Sequence, residues 1–506
     1  MRKMVFGVAV ALTVGASFGA DVFVDVGQTR ELTSGDYGAV FVNGTCTIPA
    51  DAVVTCTSLM VASGDVNNVV FTVGPRAHLT VTGESKTYIG YDSGAGTFTL
   101  ETNAVMTCQN NCKVRYRIDS LRTGPNMITV NLREGARVEG VGTDNCFYIG
   151  DGPAPSSQAT TPDGTKSSKV GITTTVNLDA GSALHFSCVQ AKTRPNVRIN
   201  FNGGCISNKW NTSLSAMVYN TSPYNKSNDH NTMLYLTSVN GNPIRLYKAS
   251  HAHVFFAQKS NGGTHLEGNI ELAGTSDDTP GKYYNRLFDG EKTRFHFNES
   301  ATKTETVWFK GSVRPQCLFA DVFPTTAKIV VEKNARFELA GFPQTVAGIS
   351  GEGCVTNRGE AAAFTLNNTD DSTIGAIYEN VQLVKQGTGS LTVGSVNSAK
   401  VDIDVQAGAF SVGRTGALGT FALDAAQATA DFGVFAPAAN TVLALTNFTA
   451  AEYPAKLPIG YTSIADRSAL SQWTVTLDGT PFAAQPLTAH VGSLYLGQFG
   501  LVLFVR

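Results

Sequence analysis

The chain has 506 residues, of which 15% are charged and 51 are glycine, and its 38 basic and 40 acidic residues give a formal net charge of −2 at pH 7. A surface with so little net charge excludes the basic footprint of a nucleic-acid-binding protein and the polybasic patch that binds anionic lipid. The charged fraction is well below the usual quarter, and Thr, Ser and Asn occupy most outward positions of the predicted strands instead.

The N-terminal segment has the layout of a secretory signal peptide. Arg2 and Lys3 precede an apolar run over residues 4–14, and small residues follow up to Ala20. We therefore exclude residues 1–20 from the fold and expect an exported chain without a transmembrane span. An uncleaved membrane anchor is the alternative, but the run is short for crossing a bilayer.

Between residues 21 and 440, one strand–turn–strand phrase recurs. It consists of alternating apolar residues, a Gly or Asn before a small residue, and renewed alternation. The copies lie at residues 71–81, 103–105, 130–138, 176–186, 330–337 and 401–410. A second echo pairs Tyr88-Ile89-Gly90 with Tyr148-Ile149-Gly150.

This pattern predicts an all-β fold built as a β-solenoid. Period-two alternation predicts half-buried strands, and self-similarity at 20–50 residues predicts coils that stack on one another. An antiparallel sandwich also has many short strands and is the alternative. The Asn-Gly pairs that favour hairpins occur at only four places, with the asparagines at Asn43, Asn202, Asn240 and Asn261.

Two segments depart from the phrase. Residues 151–168 are rich in Pro, Ser, Thr and Gly and are predicted to form a surface loop. Residues 205–310 hold five of the eight histidines and, between Trp210 and Trp308, many Tyr and Phe residues. The alternation persists over 265–272, which predicts the same solenoid with longer loops. Its aromatic rings could pack internally or stack on sugars.

The C-terminal segment, residues 441–506, lacks the phrase. It keeps alternating stretches at 473–477 and 494–505. We predict a small β cap, because an uncovered solenoid end is an exposed sheet edge.

Part of the chain resembles a known family. Residues 339–353 read L-x-G-x-x-Q-T-V-x-x-I-x-G-x-G, and residues 383–393 read L-V-K-x-G-x-G-S-L-T-V. The two motifs, in this order, resemble the autotransporter-associated β-strand repeat, over about one-eighth of the chain. The resemblance implies a right-handed parallel β-helix like those of bacterial passenger domains.

Nine cysteines leave three hypotheses open; they are Cys46, Cys56, Cys108, Cys112, Cys146, Cys188, Cys205, Cys317 and Cys354. Export would permit disulfides, for example between Cys108 and Cys112 or between Cys46 and Cys56. Zinc would need a closely spaced cysteine pair with suitably placed histidines, which the sequence lacks. Buried free thiols are the third hypothesis.

Two acidic pairs and one histidine pair are the candidates for catalytic or metal-binding residues. Asp277-Asp278 and Asp370-Asp371 lie among turn residues, and neighbours on a strand point to opposite faces, which favours a turn role over paired catalysis. His251 and His253 would share one face of a strand but lack an identifiable third metal ligand. We therefore predict no catalytic residue, no metal ligand and no cofactor.

The leading hypothesis is an exported bacterial β-solenoid at the cell surface or outer envelope, acting as a structural or adhesin-like module without catalysis. Its expected partners are surface glycans or other envelope proteins. One alternative is a polysaccharide lyase or glycoside hydrolase with its site within 205–310. The other is a non-catalytic glycan-binding module.

Overall fold

The computed structural model describes residues 19–63, 66–83, 87–90, 95–114, 128–141, 145–149, 174–191, 197–208, 216–220, 233–248, 254–258, 263–274, 285–289, 306–311, 313–317, 320–396, 401–416, 418–484 and 486–499. The predicted signal peptide up to residue 18 and the predicted loop at 151–168 lie outside these ranges. So do His251, His253, Asp277, Asp278 and Trp210.

The described residues form 49 β-strands and one short 3-10 helix, Ser468–Gln472. From the N-terminus to residue 149 the strands are β1 (Val22–Val24), β2 (Thr29–Glu31), β3 (Gly35–Val42), β4 (Thr45–Ile48), β5 (Val53–Val61), β6 (Val69–Val73), β7 (His78–Val81), β8 (Thr87–Ile89), β9 (Gly96–Leu100), β10 (Val105–Cys108), β11 (Cys112–Val114), β12 (Ile128–Leu132), β13 (Arg137–Gly140) and β14 (Cys146–Ile149).

The next strands are β15 (Thr174–Leu178), β16 (Ala183–His185), β17 (Cys188–Ala191), β18 (Val197–Phe201), β19 (Cys205–Asn208), β20 (Ala216–Asn220), β21 (Met233–Ser238), β22 (Ile244–Lys248), β23 (Val254–Gln258), β24 (Gly263–Glu267), β25 (Ile270–Gly274), β26 (Asn285–Asp289), β27 (Thr306–Phe309), β28 (Pro315–Gln316), β29 (Lys328–Val331), β30 (Arg336–Glu338), β31 (Gln344–Val346), β32 (Gly348–Ser350) and β33 (Cys354–Thr356).

The last strands are β34 (Ala362–Leu366), β35 (Ser372–Ile377), β36 (Val381–Lys385), β37 (Ser390–Val396), β38 (Val401–Val405), β39 (Gly408–Thr415), β40 (Leu418–Asp424), β41 (Ala428–Asp431), β42 (Val434–Phe435), β43 (Val442–Thr446), β44 (Ala455–Gly460), β45 (Ser463–Ile464), β46 (Thr474–Leu477), β47 (Thr480–Pro481), β48 (Leu487–His490) and β49 (Ser493–Leu496).

These strands build three long parallel ladders. The first ladder joins β5, β7, β10, β13, β16, β19, β22, β25, β27, β29 and β32, and joins β35, β37, β39, β41 and β44 farther along. The second ladder joins β1, β3, β5, β8, β11, β14, β17, β20, β23, β26, β28, β30, β33, β35, β37, β39, β42 and β45. The third consists of the nine-stranded sheet from β2 to β24 and the eight-stranded sheet from β31 to β47.

The chain passes through the ladders in a repeating order. After a third-ladder strand such as β6 come β7 of the first ladder and β8 of the second, and β9 then returns to the third. Long strands such as β37 belong to both the first and the second ladder, so the two meet at a bend. The prediction of an all-β, repeat-like fold with parallel strands is confirmed. Among the described residues only three strand pairings are antiparallel, and all of them involve β47, β48 or β49. The alternative prediction of an antiparallel sandwich is therefore wrong.

The recurring phrase marks equivalent positions of successive strands. Phe71 lies in register with Phe98, Phe98 with Val130, and Val130 with Val176. The small residue after each turn also stacks, because Val105 donates its N–H to the carbonyl of Ala77 at 2.9 Å. Apolar residues at equivalent positions of successive strands therefore form inward columns, although the number of residues between them varies.

Those columns form the core. One cluster of buried apolar residues extends from Val22 to Leu496. Phe71 and Phe98 are fully buried and stack with ring centroids 5.2 Å apart and planes 1° apart. Burial of apolar area on every strand is the main stabilising term in such a stack.

The divergent segment and the C-terminus use the same ladders. The described strands β19–β27 continue all three ladders. The alternation over 265–272 spans two strands, β24 and β25, with a break at Gly268, where φ is +105°. Beyond residue 441, β43 and β46 still pair in parallel. Antiparallel pairing then follows between β44 and β49 and between β48 and β49.

Candidate functional site

The bend between the first and second ladders carries a column of glycines. Gly375 and Gly394 both lie in strands that cross the bend, between pairs of residues that are in register with each other. A Cβ at Gly375 would overlap the carbonyl oxygen of Glu352, and one at Gly394 would overlap that of Gly375. Only glycine therefore lets successive strands approach at the bend.

A cavity of about 540 Å³ opens along this column, and we call it the trough. Small residues form its floor: Gly353, Cys354, Gly375, Ala376 and Ser395. Larger side chains form its walls: Arg314, Lys333, Arg336, Glu352 and Tyr378. The trough crosses the strands, because Arg336, Cys354, Ala376 and Ser395 follow one another in register from β30 to β37.

The trough is cationic in a chain that is slightly acidic overall. Three basic side chains face a single carboxylate, that of Glu352, among its lining residues. Arg336 is partly buried, whereas Lys333 is exposed. In the described part of the chain, no carboxylate lies within ion-pair distance of either cation. Elsewhere in the stack, Arg245 and Lys310 each lie 3.0 Å from a carboxylate oxygen of Glu271.

Cys354 lies on the trough floor but is not a nucleophile at neutral pH. Burial raises the pKa of its thiol, and the Arg336 and Arg314 guanidinium groups act against this without cancelling it. Glu338, which also raises the pKa, is a buried carboxylate satisfied by the Arg358 N–H at 2.7 Å and the Thr356 hydroxyl at 2.8 Å. A neutral thiol and one wall carboxylate do not make the paired acid and base of a glycosidase.

The structure separates the acidic pair predicted to be a turn. Asp370 accepts from Lys328 Nζ at 2.9 Å, while Asp371 accepts from the hydroxyl and N–H of Ser390. The hydrogen bonds from the Ser390 side chain and backbone lower the pKa of the Asp371 carboxyl. Both residues lie between β34 and β35 and do not line the trough. The other weighed residues, His251, His253, Asp277 and Asp278, lie outside the described residues.

All nine cysteines have free thiols, and eight of them are buried. Cys46 in β4 and Cys56 in β5 belong to different ladders and are not bonded. The thiols of Cys108 and Cys112 hydrogen-bond to each other, which contributes with burial to the raised pKa of Cys112. Burial raises the pKa of both Cys46 and Cys56 to about 12. No cluster of three or more His, Cys, Asp or Glu side chains suited to a metal ion occurs within the described ranges.

Sequence reasoning missed the trough. The recurring phrase includes Arg336 without indicating a role for it, and no sequence pattern singles out Arg314 or Lys333. A signal was present in the runs Ile374-Gly375-Ala376, Val393-Gly394-Ser395 and Val412-Gly413-Arg414, which place a glycine at the same point of three successive strands.

No family model, curated protein or solved structure matches this chain. Within the described residues, no helix is long and apolar enough to cross a membrane.

Proposed function

We propose that the protein is a right-handed parallel β-helix, exported by a bacterium and held at its surface or outer envelope, where it acts as an adhesin-like module without catalysis. The observation that carries the proposal is the repeated passage of the chain through three parallel ladders over one continuous core. The right-handed sense is the one that parallel crossover connections almost always take.

Export rests on the sequence. The basic, apolar and small-residue order of residues 1–20 is that of a signal peptide, and the motifs at 339–353 and 383–393 resemble the autotransporter-associated β-strand repeat. Together they favour an extracellular solenoid that presents its long side faces to other molecules.

A non-catalytic glycan-binding role is the form of this function that the trough favours. It is open and polar, and neither Arg336 nor Lys333 in its lining has a carboxylate within ion-pair distance among the described residues. A lyase or hydrolase is the competing hypothesis, and product analysis separates the two.

The test has two arms. Intact cells that produce the full chain are treated with an external protease, and the purified protein is incubated with acidic and neutral polysaccharides. We expect cleavage on intact cells and no new reducing or unsaturated sugar ends. Protection of the chain inside cells would contradict surface display, and release of such ends would contradict the absence of catalysis.

A further inference from the structure

We propose that the trough binds a linear anionic glycan, one that carries carboxylate or sulfate groups, laid along the stack of strands. This inference names the ligand class of the adhesin-like function and rests on that function. It rests on the positions of the cations, on the small side chains of the trough floor, and on the pairing of the backbone groups beneath the trough.

Cations stand at both ends of an uncharged floor. Arg336 lies at one end, with Arg314 and Lys333 beside it in the lining. Arg414 lies one strand beyond Ser395, in register with it, and is exposed. From Arg336 to Arg414 there are four strand-to-strand steps, or roughly 19 Å at the usual spacing of neighbouring strands. A small anion would need one end only, whereas a chain with several acidic groups can use both.

The arginines suit carboxylate and sulfate. A guanidinium group binds such anions through two parallel hydrogen bonds, and a partly buried one gains more from an anion than an exposed one does. Arg336 is partly buried, and no carboxylate pairs with it within the described ranges. An incoming acidic group would therefore supply the counter-charge that Glu271 already supplies to Arg245.

The floor suits a sugar chain. Gly375, Ala376 and Ser395 raise no side chain larger than a hydroxymethyl group, so a ligand can lie close to the backbone. Tyr378 stands in the wall, where a ring could pack against a sugar face as aromatic rings do in other apolar contacts.

An acidic peptide fits less well. Extended peptides are commonly held by adding a strand to a free sheet edge. The trough instead crosses the strands β30, β33, β35 and β37, whose backbone groups already pair with their neighbours. A peptide there would find few free main-chain partners.

The experiment measures binding of purified full-length protein to a galacturonate disaccharide, a galacturonate octasaccharide, a sulfated octasaccharide, a neutral glucose octasaccharide and an oligo-aspartate peptide. We expect an acidic octasaccharide to bind, with affinity that falls as salt rises, and the neutral sugar and the peptide to bind at least about ten-fold more weakly, as charge-assisted hydrogen bonds imply.

Variants locate the site. Arg336→Gln should weaken binding of both the acidic disaccharide and the acidic octasaccharide by about ten-fold or more. Arg414→Gln should weaken the octasaccharide alone, because the disaccharide does not reach it. Lys333→Gln removes a lysine from the trough lining. Its control is Lys456→Gln, which removes an exposed lysine from β44 outside the trough and should leave affinity unchanged.

Each opposite result overturns the inference. Unchanged acidic-glycan affinity in both Arg336→Gln and Arg414→Gln would place the ligand elsewhere, and the exposed Arg414 keeps the test valid if Arg336→Gln unfolds. Equal binding of the neutral sugar or of the peptide would remove the assigned ligand class. None of these outcomes touches the proposed function, which fails instead on turnover or on protection inside cells.

Discussion

The side-chain amide of Asn177 donates a hydrogen bond to Oδ1 of Asn131, 2.8 Å away on the neighbouring strand of the third ladder. Asn200 donates in turn to Asn177 at 2.8 Å, and Asn131 donates to Thr99 at 3.3 Å. These residues share one outward column, and the amides of Asn131 and Asn177 each bond to both neighbours. The column joins four strands by side chains in addition to their backbone hydrogen bonds.

Asn177→Ala removes the middle of this column. It deletes one donated and one accepted bond, and we expect a loss of about 1–2 kcal/mol in the free energy of unfolding. Urea unfolding followed by circular dichroism measures it. Thr175→Ala, two residues away on the same face, is the control and should cost less. Equal losses in the two variants would mean that the amide column adds nothing.

Gly375→Ala tests the bend. Its Cβ would overlap the Glu352 carbonyl oxygen, so strands must shift, at a cost of about 1–3 kcal/mol. Gly348→Ala is the matched control, because its Cβ would first meet the flexible Lys328 side chain, at 3.3 Å. Thermal unfolding of both variants compares them. A Gly375→Ala protein as stable as Gly348→Ala would show that the bend tolerates side chains.

Lys385 is fully buried, and its Nζ donates to the carbonyl oxygens of Gly387 and, at 3.0 Å, Ala407. Desolvation lowers the pKa of this amine to about 8. Between pH 8 and the usual value near 10.5, the unfolded chain binds more protons here than the folded chain, so this site makes stability rise with pH. In the sequence this lysine stands out only as part of the 383–393 motif.

The measurement for Lys385 is the wild-type free energy of unfolding minus that of Lys385→Met, taken at several pH values. We expect this difference to stay level below pH 8 and to rise by about 3 kcal/mol towards pH 10.5. The same subtraction with Lys456→Met should stay flat. A difference that is level or falls across the window would contradict a depressed pKa.

Buried thiols have the opposite effect and make the free energy of unfolding fall as pH rises. Because burial raises the pKa of Cys46 to about 12, the unfolded thiol loses its proton above its usual value near 9 while the folded thiol keeps it. Its contribution to stability is therefore present below pH 9 and is lost as pH rises towards 12. Cys46→Ala should lose less stability than wild type over that range, and an identical pH profile would contradict the burial.

Thiol labelling tests all nine cysteines at once. Eight are buried, and Cys205 is partly exposed. A thiol reagent at pH 8 should modify Cys205 first in the native protein and all nine in denaturant. Fewer than nine thiols in the denatured, non-reduced protein would show that the protein carries a disulfide.

The sequence predicted the stacking better than the site. Alternation and small turn residues around Ala77, Ala104 and Ala136 indicated equivalent positions, and the hydrogen bonds from Val105 to Ala77 and from Arg137 to Ala104 confirm them. The Tyr88 and Tyr148 echo is also real, because the two residues flank Lys113 in register, with rings 5.5 and 5.8 Å from its Nζ.

Spacing alone does not predict the whole trough, because the register of the strands assembles it. Arg336 meets Cys354 eighteen residues on, but Cys354 meets Ala376 after twenty-two and Ala376 meets Ser395 after nineteen. No fixed period marks these positions as neighbours. Adjacent acidic residues such as Asp370 and Asp371 are conspicuous in a sequence. In the structure, however, Asp370 bonds to Lys328 and Asp371 bonds to Ser390, so the two carboxylates are held apart.

Distances between spin labels on the third ladder test the stacked architecture most directly. Thr45 and Thr175 occupy one outward column four strands apart, and Tyr235 continues that column six strands from Thr45. We predict separations of about 19 Å for the pair 45/175 and about 29 Å for 45/235, before allowance for the label arms. Separations that do not grow with the number of intervening strands would contradict the parallel stack.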